Sequence, residues 1–170
     1  MIISIDEFRK FYNTDESDAV LGAKLSSIET MIRNYTNNNF QQRSKRCTSA
    51  IKDGVIISPS LFFKVGDTVE ISGDEVNNGL YVITENYILD PTPYDSEICV
   101  ITRIEYPHDI KMGVINLLKW SMEHGDKFGI ASESISRHSV SYFNFDGSNS
   151  LIGFPTSLMG FLKPYMKARF

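Results

Sequence analysis

Apolar residues recur at helical spacing from the start of the chain. In "SIDEF", Ser4 is placed to cap free backbone amides, while Glu7, three residues on, is placed to reach back to the cap's own amide. Ile5, Phe8 and Phe11 follow at helical intervals, which predicts a short helix over residues 5–12. After the polar break "NTDESD", Leu21, Leu25, Ile28, Ile32 and Tyr35 recur by fours and threes, the stripe of an amphipathic helix, with Lys24, Glu29 and Arg33 on its other faces. The run "TNNN" ends that helix, because asparagine leaves helical geometry readily.

From residue 54 to 106 the helical period disappears. Short β-branched runs, "VII", "DTVEIS", "LYVIT" and "EICVITRIEY", are separated by Gly66-Asp67, Ser72-Gly73-Asp74, Asn77-Asn78-Gly79, Pro91 and Pro93. The pattern predicts about four or five antiparallel strands in a small sheet or barrel inserted between helices. Asn78-Gly79 is the best single turn signal, since both residues tolerate positive φ. A helix over residues 109–124 follows, with Ile110, Met112, Val114, Ile115, Leu117, Leu118, Trp120 and Met122 leaving little polar face. It is predicted to be the central helix, stopped near Gly125. A last turn or two over residues 156–162 has Leu158, Phe161 and Leu162 as an apolar edge, and Pro164 ends or kinks it. The expected fold class is therefore α+β: a helical bundle of about four helices with an inserted small antiparallel β module. The expected organisation is a helical domain from residues 1–40 and 107–170 and a β module over residues 41–106.

Composition changes this picture little. With 42% hydrophobic and 22% charged residues the chain has the balance of a folded globular protein. No apolar run reaches the ~20 residues of a membrane span, and "MIISIDEFRK" carries charges where a signal peptide has its apolar core. Assembly in a cytoplasm and no membrane partner are expected. A net charge of −4 argues against binding nucleic acid by phosphate neutralisation; the basic groups Arg43, Lys45, Arg46 and Lys163, Lys167, Arg169 read as solvated surface.

Chemistry finds no foothold in the sequence. The stretch "ESISRHSVSY", residues 133–142, gathers a glutamate, serines, an arginine and a histidine, but lacks a G-x-S-x-G elbow, and its serines alternate with Ile, Val and Tyr as on an exposed strand. His108, His124 and His138 form no ligand pair, and Cys47 and Cys99 are isolated. "SGDEVNNG" lacks the register of a calcium loop and reads as a hairpin turn. No catalytic residue, no metal and no cofactor are expected.

Three stretches carry a resemblance. They are "ISIDEFRKFYNTDESDAVLGAKLSSIETMIRNYTNNNF", "YPHDIKMGVINLLKWSMEHGDKFGIASESISRHSVSY" and "IGFPTSLMGFLKPYMKARF". Together they resemble the head-tail connector, or head-completion adaptor, proteins of tailed bacteriophages with long non-contractile tails. Between residues 41 and 106 the chain departs from the compact family pattern, so no family role passes to the β module. The resemblance implies a structural protein of the virion neck, a ring of about twelve copies beneath the capsid portal, and a channel through which genomic DNA passes without sequence-specific binding. The portal and a stopper or tail protein are the implied partners. Residues 128–153 are expected to be mobile in the free protein, which the sequence leaves open as monomer or ring, and to order on assembly by adding "SVSYFNF" as a strand to a neighbouring subunit. Glu133, Ser134, Arg137, Val140, Tyr142, Phe143 and Phe145 are the expected subunit contact. The basic tail over residues 163–170 would face the portal, through Lys163, Tyr165, Lys167, Arg169 and Phe170. Two alternatives remain: another neck or tail protein, such as a stopper or tail terminator, and a small non-viral regulatory protein.

Overall fold

The structure, a computed structural model, describes residues 1–124, 132–135, 138–141 and 150–168, with backbone alone for 132–135 and 138–141. The chain divides into two compact units: Met1 with Asn38–Tyr106, and Ile2–Asn37 with Pro107–Phe170.

In the second unit, α1 (Ile5–Arg9) starts where the Ser4 hydroxyl accepts the Glu7 amide at 3.0 Å. It is shorter than predicted; one further turn follows, in which the amides of Phe11 and Tyr12 bond the Phe8 carbonyl. α2 (Asp18–Thr36) buries Leu21, Leu25, Ile28 and Ile32, the predicted stripe. Asn37 ends it in the left-handed conformation, φ 50°, as an asparagine tolerates. α3 (His108–His124) buries Ile110, Val114, Leu117 and Leu118 and packs against α2 and against the closing segment. That segment is two 3-10 turns, Thr156–Leu158 and Gly160–Tyr165, rather than an α-helix. Gly113 is why it approaches so closely: a Cβ there would run into the Phe161 ring.

The first unit is a six-stranded antiparallel sheet. Its strands are β1 (Gln41–Lys52), β2 (Val55–Ile56), β3 (Thr68–Ser72), β4 (Gly79–Ile83), β5 (Leu89–Asp90) and β6 (Ser96–Ile104), in the order β2-β1-β6-β3-β4-β5. Its two edges meet. Val55 bridges to Ile88, and the Leu89 amide donates to the Gly54 carbonyl at 2.9 Å, so the sheet is nearly closed as a barrel. The inward side chains Ile51, Ile56, Val69, Ile71, Ile83, Leu89, Cys99 and Ile101, capped by Phe63 from the β2–β3 loop, form one core drawn from all six strands.

This corrects the expected fold class. The molecule is not a helical bundle carrying a small β module; the sheet dominates it. Closure is the physical reason, because a 12-residue β1 pairs with both β2 and β6, and edge-to-edge bonding leaves a filled interior rather than an open layer needing helices to cover it.

The turn expected at Asn78-Gly79 is built differently. Gly73, φ 75°, takes the left-handed conformation, and the Asp74 carboxylate then accepts the amides of Val76 at 2.9 Å and Asn77 at 3.1 Å. Left-handed pairs occur instead at Asp53-Gly54, between β1 and β2, and at Asn86-Tyr87, between β4 and β5.

Two small hairpins complete the described residues. β7 (Ser132–Ile135) pairs antiparallel with β8 (His138–Ser141), and β9 (Ser150–Leu151) with β10 (Phe154–Pro155). No described helix is long and apolar enough to cross a membrane.

Candidate assembly surfaces

Of the residues expected to make the subunit contact, those that are described fall on the first small hairpin. Glu133 and Ser134 lie in β7 and Val140 in β8, where Glu133 pairs with Val140 and Ser134 with Ser139. The strand-forming run thus begins as a partner of its own chain. Arg137, Tyr142, Phe143 and Phe145 lie outside the described residues, as does most of the segment expected to be mobile.

The C-terminal segment is held by backbone and side-chain bonds. The Tyr165 hydroxyl donates to the Asp109 carboxylate, 2.8 Å from both of its oxygens, in the first turn of α3. The Lys167 amide donates to the Thr36 carbonyl at 2.8 Å, and the Asn37 side-chain amide donates to the Ala168 carbonyl at 2.8 Å. Together these bonds place residues 165–168 against the end of α2 and the start of α3, while the side chains of Lys163 and Lys167 remain exposed. The Asp109 hydrogen bond is the main cause that holds the Tyr165 phenol above its ordinary pKa. Arg169 and Phe170 lie outside the described residues.

Two features escaped the sequence reading. Arg9 organises the α1–α2 connection: its guanidinium donates to the carbonyls of Thr14 and Glu16 and pairs with Asp18, each at 2.8 Å. An acidic loop eight residues long after a lone arginine was the available signal. The other is an open groove of about 550 Å³ along the outer face of α2, lined by Ser26, Ser27, Thr30, Met31, Asn34 and Tyr35 and by Ile152. Ile152 sits at φ 52° beside Gly153 at φ 79°, which makes the tight β9–β10 turn and holds a β-branched side chain where few such residues are found.

The side chains that invited a chemical reading stand apart. His108 begins α3 and is exposed, whereas His124 ends it, stacked on Trp120 at 5.1 Å with Nδ1 3.1 Å from the Trp120 carbonyl oxygen. His138 lies in β8. Among the described residues no three His, Cys, Asp or Glu side chains gather as a metal site. Cys99 faces the barrel core and donates to the Ser49 carbonyl at 3.3 Å. Burial, with lesser help from the Asp74 carboxylate and Cys47, pushes its thiol up to about 11. Burial likewise raises the Cys47 thiol, against the lowering effect of a backbone hydrogen bond from Ser60. Both stay protonated at neutral pH, which suits packing and not nucleophilic attack.

No protein-family model matches the chain, and no curated protein resembles it significantly.

Proposed function

We propose that this chain is a structural protein of a tailed bacteriophage: a head-tail connector that assembles as a ring on the capsid portal, extends the DNA channel and offers the attachment surface for the stopper or tail. One observation carries most of the support. The first of the three stretches that resemble connector proteins is separated from the other two by the β module, yet nearly all of it folds with them into one compact unit, Ile2–Asn37 with Pro107–Phe170. Their meeting point is the set of bonds linking Tyr165, Lys167 and Ala168 to Asp109, Thr36 and Asn37. The basic side chains Lys163 and Lys167 project from that point as the portal-facing surface.

The dominance of the six-stranded barrel, where the resemblance implies a bundle, favours one second reading: a stopper or tail terminator further from the portal. Native mass spectra of the protein alone and mixed with portal rings of the same genome separate the two. A multi-copy complex on the portal, weakened at least about tenfold by Lys163→Glu with Lys167→Glu, supports the connector. A protein that ignores the portal and binds the completed neck instead supports the second reading.

A further inference from the structure

The turn between β3 and β4 holds the chain's only Asn-Gly pair, Asn78-Gly79. Both asparagines of this turn act as staples. Asn77 is 1% exposed and exchanges two hydrogen bonds with the Tyr94 backbone: its Nδ2 donates to the Tyr94 carbonyl at 3.0 Å, and its Oδ1 accepts the Tyr94 amide at 2.9 Å. Asn78 is exposed, yet the Asp74 backbone engages its carboxamide at both atoms, since Oδ1 accepts the Asp74 amide at 3.2 Å and Nδ2 donates to the Asp74 carbonyl. The amides of Val76 and Asn77 bond the Asp74 carboxylate, so the turn is a closed set of bonds around Asp74, and Asn77 extends it to the β5–β6 loop. Gly79 has no conformational reason to be glycine. It begins β4 opposite Ile71, outside the left-handed region, and a Cβ added there would stand 3.8 Å from Tyr81 Cε2, an ordinary contact.

What the pair does carry is reactivity. No side chain shields the glycine amide nitrogen, which can therefore attack the asparagine carboxamide carbon. A bond forms between that nitrogen and Cγ, the carboxamide nitrogen departs as ammonia with the proton the amide has lost, and a five-membered succinimide remains. Water then opens the ring at one of its two carbonyls, giving aspartate or isoaspartate; in the latter the backbone runs through the side-chain carbon. One water is consumed and one ammonia released. In the folded turn the carboxamide must first leave both of its bonds to Asp74, so the reaction waits for local opening. The product cannot rebuild the turn. A carboxylate oxygen replaces the Nδ2 donor and meets the Asp74 carbonyl with no proton between them, and a new negative charge joins those of Asp74 and Glu75. In isoaspartate an extra methylene also enters the backbone just before Gly79 and disturbs its register with Ile71.

We infer that Asn78 is a modification site, a one-way latch on the β3–β4 turn: it is protected while Asp74 holds its carboxamide, and it is converted by water to aspartate or isoaspartate when the turn opens. Conversion then frees the β5–β6 loop from the turn, because Asn77 no longer stands where it can hold Tyr94. The inference needs no partner and does not rest on the connector reading.

Ageing of the full-length chain at mildly alkaline pH tests it. Peptide mass mapping reads the amide-to-acid mass gain at Asn78, and hydrogen exchange at the Tyr94 amide reads the tie to Asn77. Conversion should be slower in the folded chain than in the same chain unfolded in urea, by about tenfold or more for two hydrogen bonds that must open first. Gly79→Ala should suppress conversion and leave exchange at Tyr94 unchanged, because the added methyl has room. Asn78→Asp supplies one product directly and should speed that exchange at least about tenfold, with an unchanged far-ultraviolet circular dichroism spectrum to verify that the rest of the chain stays folded. The converted fraction of the aged, unsubstituted chain should show the same acceleration. Equal conversion rates in folded and unfolded chains overturn the protection by Asp74, and absence of conversion in both overturns the site. Exchange at Tyr94 that keeps its original rate in both Asn78→Asp and the aged chain overturns the latch.

Discussion

The sheet unit closes through its backbone, where Gly54 and Leu89 share a hydrogen bond and Val55 bridges to Ile88, whereas the helical unit, beside one backbone bond from Lys167 to Thr36, closes through particular side chains. In the helical unit Asn37 bonds Ala168, Tyr165 bonds Asp109, and Gly113 makes room for Phe161. A backbone-closed barrel asks of its sequence mainly that alternate positions be apolar, so its outer face is free to carry recognition. A unit closed by side chains depends on few positions, and each has its own chemistry. The barrel should therefore lose most stability when its interior is hollowed, and the helical unit when its contacts are blocked.

The largest effect expected is in the barrel core. Ile101 is fully buried in β6, and Ile101→Ala removes packing from the shared core, which should cost about 2–5 kcal/mol. Ile98, three residues earlier on the same strand and 68% exposed, provides the contrast: Ile98→Ala should change stability by less than about 0.5 kcal/mol. Urea unfolding of both variants at low protein concentration measures the difference. Equal losses would mean that the strand does not present one face to a closed interior.

A smaller loss is expected from crowding the helical unit. Gly113→Ala adds a methyl where the Phe161 ring lies, at a cost of about 1–3 kcal/mol, offset by up to about 1 kcal/mol of improved helix propensity. Phe161→Ala in the same chain removes the obstacle, so the two substitutions should be strongly non-additive in a double-mutant cycle. Additivity would show that the ring does not pack on Gly113.

Next comes the end of α2. Asn37→Ala places an ordinary side chain at φ 50° and also removes the bond to Ala168, for a loss of about 1–2 kcal/mol. Asn37→Gly keeps the conformation and loses the bond alone, so it should cost less than half as much. If thermal unfolding shows the two variants equal, the backbone conformation contributes nothing and the bond to the tail carries the whole effect.

What the sequence revealed divides along the same line. α2 was legible because its apolar spacing is local and its terminus is written as a run of asparagines. β1 was not read as a strand: "QQRSKRCTSAIK" contains few β-branched residues, and what makes it extended is pairing with β6, more than forty residues away. Asp53-Gly54 carried a good hairpin signal that passed unread beside Asn78-Gly79, whose apparent turn is displaced by the hydrogen bonds of Asp74. Sheet closure has no local signature, so sheet and barrel stayed open as alternatives, and without β1 the expected module was smaller than the six-stranded sheet. The basic character of the tail was visible in Lys163 and Lys167, but its attachment was not, because two of its bonds use backbone groups of Lys167 and Ala168 that any residues would supply.

The smallest effect is expected at the turn between β3 and β4. Asp74 accepts hydrogen bonds from the Ser96 side chain and from the amides of Val76 and Asn77, which hold its carboxyl down at about 2, below the ordinary 3.8. A carboxylate with a lowered folded-state pKa contributes stability that is present above its ordinary pKa and is lost as pH falls toward the folded value. The contribution of Asp74 should therefore be intact above about pH 4 and disappear progressively between about 4 and 2. Asp74→Asn keeps an oxygen for the two amides but cannot titrate, so its stability should depend less steeply on pH across that window. Carbon-13 chemical shifts of the Asp74 carboxyl give the midpoint directly. A midpoint near 3.8 would show the turn open in solution, and with it the loss of the structure that holds Val76 and Tyr94 together at this end of the barrel.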